Sequence, residues 1–163
     1  MPLIAEKLEK YGIKGTFFVG SFCPPNLTDK MFSNLGFLVS RGHDLELHPH
    51  PDALDPNRLL FTGYSMEERR RILETAIENI KRAGAQPPIA HRAGAYAIDP
   101  ETLSLLPQFG ILMDSSIFPV DSRSKVPLPE NLANRFVKIE GLYELPITLI
   151  RRVPFIGYAG MTA

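Results

Sequence analysis

Histidine is scarce in this chain, and three of its four copies fall in one short segment. That segment is Gly42-His43-Asp44-Leu45-Glu46-Leu47-His48-Pro49-His50-Pro51-Asp52. A strand-like run ends there in histidines that alternate with prolines and close on a carboxylate. Imidazole nitrogens and carboxylate oxygens are the donors that zinc and similar divalent ions take up, and a catalytic ion keeps one position open for water. His48, His50 and Asp52 therefore point to a metal site at a strand end, and to hydrolysis. Pro49 and Pro51 bias His48 and His50 toward extended backbone, and in extended chain residues two apart share a face. At about 3.3 Å per residue, His48 and Asp52 would stand roughly 13 Å apart, so both reach one ion only if the chain curls after the strand. His48 is the first candidate ligand, and Asp52 and His50 both stay open as the second. His43 follows Gly42 directly and reads as structural.

A second segment, His91-Arg92-Ala93-Gly94-Ala95-Tyr96, offers a guanidinium, whose planar fork suits a bidentate grip on a carboxylate. A third, Asp114-Ser115-Ser116, places a carboxylate after a short apolar run.

These groups need a scaffold, and the rest of the sequence describes one. Residues 3–10 read as a helix with Leu3, Ile4 and Leu8 as its apolar stripe, stopped by Gly12. Thr16-Phe17-Phe18-Val19 reads as a buried strand. Thr28 can cap a second helix running to about Ser40, and residues 44–47 form the strand leading to the histidines. Ser65 and Glu68 make a capping box for a third helix. Leu73, Ala76, Ile77, Ile80 and Gly84 follow its buried period, and Glu67–Arg71, Arg70–Glu74 and Glu78–Arg82 line its solvated face. Residues 87–92 predict a strand, Asp99-Pro100 opens a fourth helix, Gly110 closes it, and residues 111–113 predict a short strand ending at Asp114. Residues 136–140 and 143–150 predict a hairpin turning at Gly141-Leu142. Repeated helix–strand alternation implies a largely parallel sheet or barrel. Functional groups in such folds gather at the carboxyl ends of strands, where His48, Arg92 and Asp114 all fall.

The 163 residues fit a single domain spanning the chain, and 44% hydrophobic residues can bury a sizeable core. Eighteen basic and eighteen acidic residues cancel, so charge gives no case for nucleic acid or a membrane surface. No apolar run reaches membrane-spanning length. Cys23 is the single cysteine, so an intrachain disulfide is excluded. The first residues lack a signal-peptide pattern.

With these residues in place, the chain resembles the polysaccharide deacetylase family, the NodB-homology domain of carbohydrate esterase family four. Tyr11-Gly12-Ile13-Lys14-Gly15-Thr16-Phe17-Phe18-Val19 resembles the element after the family's first motif. Residues 42–48 resemble the approach to its metal-binding motif, and Arg92-Ala93-Gly94-Ala95-Tyr96 resembles its third motif. Gly110 to Ser116 and Tyr143-Glu144-Leu145-Pro146-Ile147-Thr148 resemble later segments, in the family's order. The resemblance implies a distorted (β/α) barrel, here incomplete and carrying a C-terminal β-hairpin. It implies a divalent metal, commonly zinc, held by one Asp and two His, and removal of N-acetyl groups from amino sugars. Arg92 would then orient the base carboxylate, the Ala95 N–H would receive the oxyanion, Tyr96 would line the substrate pocket, and Asp114 would support it. Three departures stand out. The family's opening Asp-Asp pair, one base and one ligand, belongs ahead of Leu3. Its second histidine ligand belongs where this chain has Asp52. Its general-acid histidine has no counterpart after His91. The chain is therefore expected to be an incomplete domain, weakly active or inactive alone. A carbohydrate is the expected partner. A small non-sugar amide substrate on the same fold, and a non-catalytic carbohydrate-binding module, are the alternatives.

Overall fold

In the computed structural model, residues 2–20, 29–51, 54–55, 57–126, 134–151 and 158–160 are described. Cys23, Thr28 and Asp52 lie outside them, so the expected cap of the second helix and one expected metal ligand have no structural account.

Helices form where apolar residues recur at helical spacing: α1 (Pro2–Lys10), α2 (Asp29–Ser40), α3 (Met66–Arg82) and α4 (Pro100–Leu105). Alternating with them are β1 (Thr16–Val19), β2 (Asp44–Leu47), β3 (Ala90–His91) and β4 (Met113–Asp114). The capping box of α3 is complete. The Ser65 side chain accepts the Glu68 N–H, and the Glu68 carboxylate accepts the Ser65 N–H. Such a cap is worth about 1 kcal/mol. The solvated face carries the Glu67–Arg71 pair at 3.0 Å. Arg69, on the inner face, is buried. It reaches Asp99 at 2.8 Å and Thr102 at 2.9 Å, and Asp99 in turn caps α4. Gly110, at φ 78°, closes the turn that follows α4.

The main sheet runs in the order β1-β2-β3-β4-β6-β5, with β5 (Val137–Ile139) and β6 (Leu142–Glu144). The pairs from β1 through β4 to β6 are parallel, and β5 and β6 are antiparallel. Among the described residues the sheet stays open, with β1 and β5 at its edges. This is the incomplete α/β barrel the sequence implies.

Three expectations are corrected. The strands expected over 87–92 and 111–113 shrink to two residues each. Pro87 and Pro88 have no N–H to offer, and Glu46 captures the N–H groups of Ile89 and Ala90 at 2.9 and 2.7 Å. The hairpin turns at Glu140-Gly141, both at positive φ (49° and 85°), which places Leu142 in β6 rather than in the turn. Positive φ at both central residues is the two-residue turn whose twist suits a hairpin. The expected strand over 143–150 also breaks. Residues 145–148 leave the sheet, and β7 (Leu149–Arg151) pairs with β8 (Tyr158–Gly160) as a separate ribbon.

The core lies on one side of the sheet. Leu45 and Leu47 of β2, Leu35 and Leu38 of α2, and Ile72, Leu73, Ala76 and Ile80 of α3 form one buried cluster. On the opposite face is a hollow of about 430 Å³ lined by Phe18, Glu46, Met113 and Leu145 among others.

Candidate active site

Strand alternation sets the site. Leu47, His91, Asp114 and Glu144 are register partners across β2, β3, β4 and β6. The next residues, His48, Arg92, Ser115 and Leu145, turn to the other face. Backbone bonds carry the ladder that one step further. The N–H of His48 reaches the Val19 carbonyl, that of Arg92 the Leu47 carbonyl, that of Ser115 the His91 carbonyl, and that of Leu145 the Asp114 carbonyl, all within 3.1 Å. The carboxyl ends of four parallel strands thus present His48, Arg92 and Ser115 side by side.

His48 is half-buried, and its Nδ1 lies 2.7 Å from the Arg92 carbonyl oxygen. That carbonyl can only accept, so it assigns the proton to Nδ1 and leaves a lone pair on Nε2. Burial pushes the His48 imidazole below its ordinary range. The carbonyl opposes that shift, and the neighbouring His50, His91 and Arg92 reinforce it. His48 is therefore neutral at neutral pH, the form that binds metal. His50 turns back over it. The two Nε2 atoms are 2.9 Å apart, and the rings meet edge to face with centroids at 4.5 Å. Two imidazoles bound at about 2.0–2.1 Å to one tetrahedral zinc place their nitrogens roughly 3.3 Å apart. The pair fits two corners of such a site after a shift of a few tenths of an ångström. Among the described residues no cluster of three or more His, Cys, Asp or Glu side chains converges. The described part of the chain offers two donors.

Pro49 and Pro51 are buried, and the Tyr64 hydroxyl donates to the Pro51 carbonyl at 2.9 Å. This pins the loop that carries His50. Gly94 binds the two motif segments together. A Cβ there would stand 3.1 Å from the Pro49 carbonyl oxygen and 3.2 Å from the His50 ring, so any side chain would push both back by a few tenths of an ångström, and glycine suits the close approach.

Arg92 lies along the open face. Its Nε and Nη2 donate to the carbonyl and hydroxyl of Ser115 at 3.2 and 3.0 Å, and its guanidinium sits 4.6 Å over the Phe18 ring. None of these partners is a carboxylate. Glu46, on the same face, is occupied by Ile89 and Ala90. Burial raises its pKa, and those two N–H groups oppose the rise.

Ala95 and Tyr96 both adopt left-handed backbone, at φ 53° and 56°. Such conformations cost on the order of 1 kcal/mol or more per residue and gather at functional turns. The N–H groups of Tyr96 and Ala97 close the turn onto Ala93 and Gly94, and the Ala95 N–H has no hydrogen-bond partner among the described residues. The Tyr96 ring packs edge to face on Phe118 at 5.4 Å.

Asp114, expected beside substrate, instead faces the helices and is buried. Its Oδ1 accepts from His91 Nδ1 at 2.6 Å and from the Ser116 hydroxyl at 2.8 Å, and its Oδ2 accepts the Ser116 N–H at 3.0 Å. Glu144 is its fully buried neighbour and accepts the Ile117 N–H at 3.0 Å. Sequence reasoning gave His91 and Glu144 no role. The signal was parity: His91 and Arg92 must face opposite sides of one sheet.

No protein-family model and no curated protein matches the chain. Solved structures do. A protein from Mycobacterium smegmatis assigned as a polysaccharide deacetylase matches over 90% of this chain and 45% of its own, at TM-score 0.66 and 22% identity. The chain has the polysaccharide-deacetylase fold. The Xyl-CE4 domain of a multidomain xylanase from the hindgut metagenome of Trinervitermes trinervoides matches over 80% of this chain and 55% of its own, at TM-score 0.50 and 20% identity. The chain spans about half the length of each. At these identities the likeness establishes the polysaccharide-deacetylase fold and leaves the chemistry to the residues themselves.

Proposed function

We propose that the chain is part of a divalent-metal-dependent deacetylase that removes N-acetyl groups from amino-sugar polymers or oligomers. The observation that supports this most is the convergence of the His48 and His50 Nε2 atoms beside Arg92, at the carboxyl ends of parallel strands. His48 and His50 are the residues that would hold the ion, commonly zinc in such sites, and Asp52 remains the alternative or third ligand. When bound, the ion supplies Lewis acidity toward the amide carbonyl and lowers the pKa of a water.

The chain's own residues do the rest. The Arg92 carbonyl fixes the His48 tautomer. The Arg92 guanidinium, braced by Ser115 and Phe18, keeps donors available for a carboxylate acting as base. The Ala95 N–H, left without a hydrogen-bond partner among the described residues, stabilises negative charge developing on the carbonyl oxygen. Tyr96, with Phe118 behind it, offers an aromatic wall to a sugar ring.

No described carboxylate pairs with Arg92, so the general base is the missing function. A base contributes about 10²- to 10⁴-fold, and the chain alone is proposed to be weakly active or inactive. The test is acetate release from chitopentaose, and from a small acetamide, with zinc or cobalt. It compares the chain with the same chain joined upstream to a strand bearing Asp-Asp. Chelator-sensitive release that appears in the extended protein and vanishes in its His48→Ala variant supports the reading. Release indifferent to chelator, or to His48→Ala, overturns it. Turnover of the acetamide alone would move the substrate from sugars to small amides.

A further inference from the structure

Below the open site lies a row that the proposed chemistry does not use. His91, Asp114 and Glu144 align across β3, β4 and β6 on the helix side, with exposures of 0%, 1% and 0%. Buried polar groups of this kind are costly unless they are satisfied. Asp114 collects three donors here, two of which lead back to the segment around Arg92. His91 Nδ1 donates to Asp114 Oδ1 directly. The Ala93 N–H donates to the Ser116 hydroxyl at 2.8 Å, and that hydroxyl donates to the same Oδ1. Residues 91 and 93 are thus both tied to one carboxylate oxygen. The residue between them is Arg92, whose carbonyl holds His48 Nδ1.

We propose that Asp114 is a positioning residue for His48: it clamps residues 91 and 93 from the sealed face so that the Arg92 carbonyl keeps the proton of His48 on Nδ1 and its Nε2 lone pair toward His50. The inference rests on the reading of His48 as a metal ligand, but its geometry stands in the metal-free chain. Glu144 completes the row. Burial and then the adjacent Asp114 charge push its carboxyl up to about 10, so it stays protonated at neutral pH. Burial works against the Asp114 charge, yet the His91 and Ser116 hydrogen bonds hold its pKa below the usual carboxylate value. Of the two carboxyl groups, Asp114, which does the clamping, is the ionised one and Glu144 the neutral one.

The experiment reads the tautomer of His48 by ring ¹⁵N chemical shifts in the metal-free chain at neutral pH. It compares wild type, Glu144→Gln, Ser116→Ala and Asp114→Ala. Wild type and Glu144→Gln should show one dominant Nδ1–H form, because Gln preserves a neutral side chain. Ser116→Ala cuts one of the two ties and should raise the Nε2–H fraction several-fold. Asp114→Ala removes the shared oxygen, cuts both and should leave a mixture. Circular dichroism and a cooperative melt identify folded variants, and Ser116→Ala serves if Asp114→Ala does not fold. A purely structural role would lower stability without moving the tautomer. A folded Ser116→Ala or Asp114→Ala variant with His48 still wholly Nδ1–H overturns the proposal, as does a wild-type His48 in the Nε2–H form. Metal titration of the same samples is a separate readout, so failure of the ligand assignment is distinguishable from failure of the clamp.

Discussion

Two rows of side chains, one residue apart along the same strands, meet opposite fates. His91, Asp114 and Glu144 face the helices and are sealed, while His48, Arg92 and Ser115 lie on the opposite face, at the carboxyl ends of the strands. Both rows hold an imidazole and charged groups. In the sealed row the donors and acceptors are spent largely on one another and on backbone. In the open row His48 is fixed at Nδ1 and turns Nε2 to His50, Arg92 is fixed through Nε and Nη2, and the Ser115 hydroxyl is spent between Arg92 and the Leu145 carbonyl. The difference teaches that residue type alone does not locate chemistry. Parity along the strand decides which carboxylate is sealed against the helices and which histidine reaches the strand-end site.

Near pH 5 the largest expected effect follows from removing the charge of the sealed row. Asp114 accepts three hydrogen bonds and donates none, so the amide nitrogen of Asp114→Asn must face a donor. Loss of hydrogen bonding to a buried charged group costs roughly 1.5–3 kcal/mol, and urea denaturation should show a loss of that size. An unchanged midpoint would mean the row is not strained by the swap and the contrast between faces is weaker than argued.

Glu144 gives a pH-dependent effect that is small near pH 5 and grows as pH rises. Its folded pKa is raised, to about 10 from an ordinary 4.5, so the native chain binds more protons than the unfolded chain between those values. Its contribution to stability is full below about pH 4.5 and declines as pH rises toward 10, by up to about 1.4 kcal/mol per unit. In Glu144→Gln that decline disappears, and the variant should gain on wild type steadily from pH 5 to 9. Parallel stability curves would contradict a protonated buried Glu144.

The smallest effect belongs to the open row. Ser115 ties Arg92 to the Leu145 carbonyl at a partly buried position. Ser115→Ala should cost about 1 kcal/mol or less in stability, well below Asp114→Asn. A loss equal to that of Asp114→Asn would erase the distinction between the rows.

Much of the scaffold was legible because its signals are local. The Ser65–Glu68 box, the apolar period of α3 and the Thr16–Val19 run each carry their own instruction, and β1, β2 and α3 follow it. The proline spacing after Leu47 also foreshadowed His48 and His50 sharing a face. What escaped was non-local or atypical. Glu46 shortens β3 by capturing N–H groups more than forty residues away, and no pattern around Pro87 announces it. Glu140 adopts a positive φ usually left to glycine or asparagine, which hides where the hairpin turns. The buried Arg69–Asp99 pair joins two helices across thirty residues, and no local spacing announces it. Asp114 is legible as a strand-end carboxylate that supports the site, but not as one that does so from the sealed side, where its register with His91 puts it opposite Arg92.

The central claim is that His48 and His50 bind one divalent ion together. Cobalt(II) titration at neutral pH, followed by its visible absorption, tests this on wild type, His48→Ala, His50→Ala and the sealed-row variant Glu144→Gln. The account predicts saturable binding of one ion per chain in wild type and Glu144→Gln, and loss of that binding in both histidine variants. Binding that survives His50→Ala at wild-type strength, or no saturable binding in wild type, would contradict it.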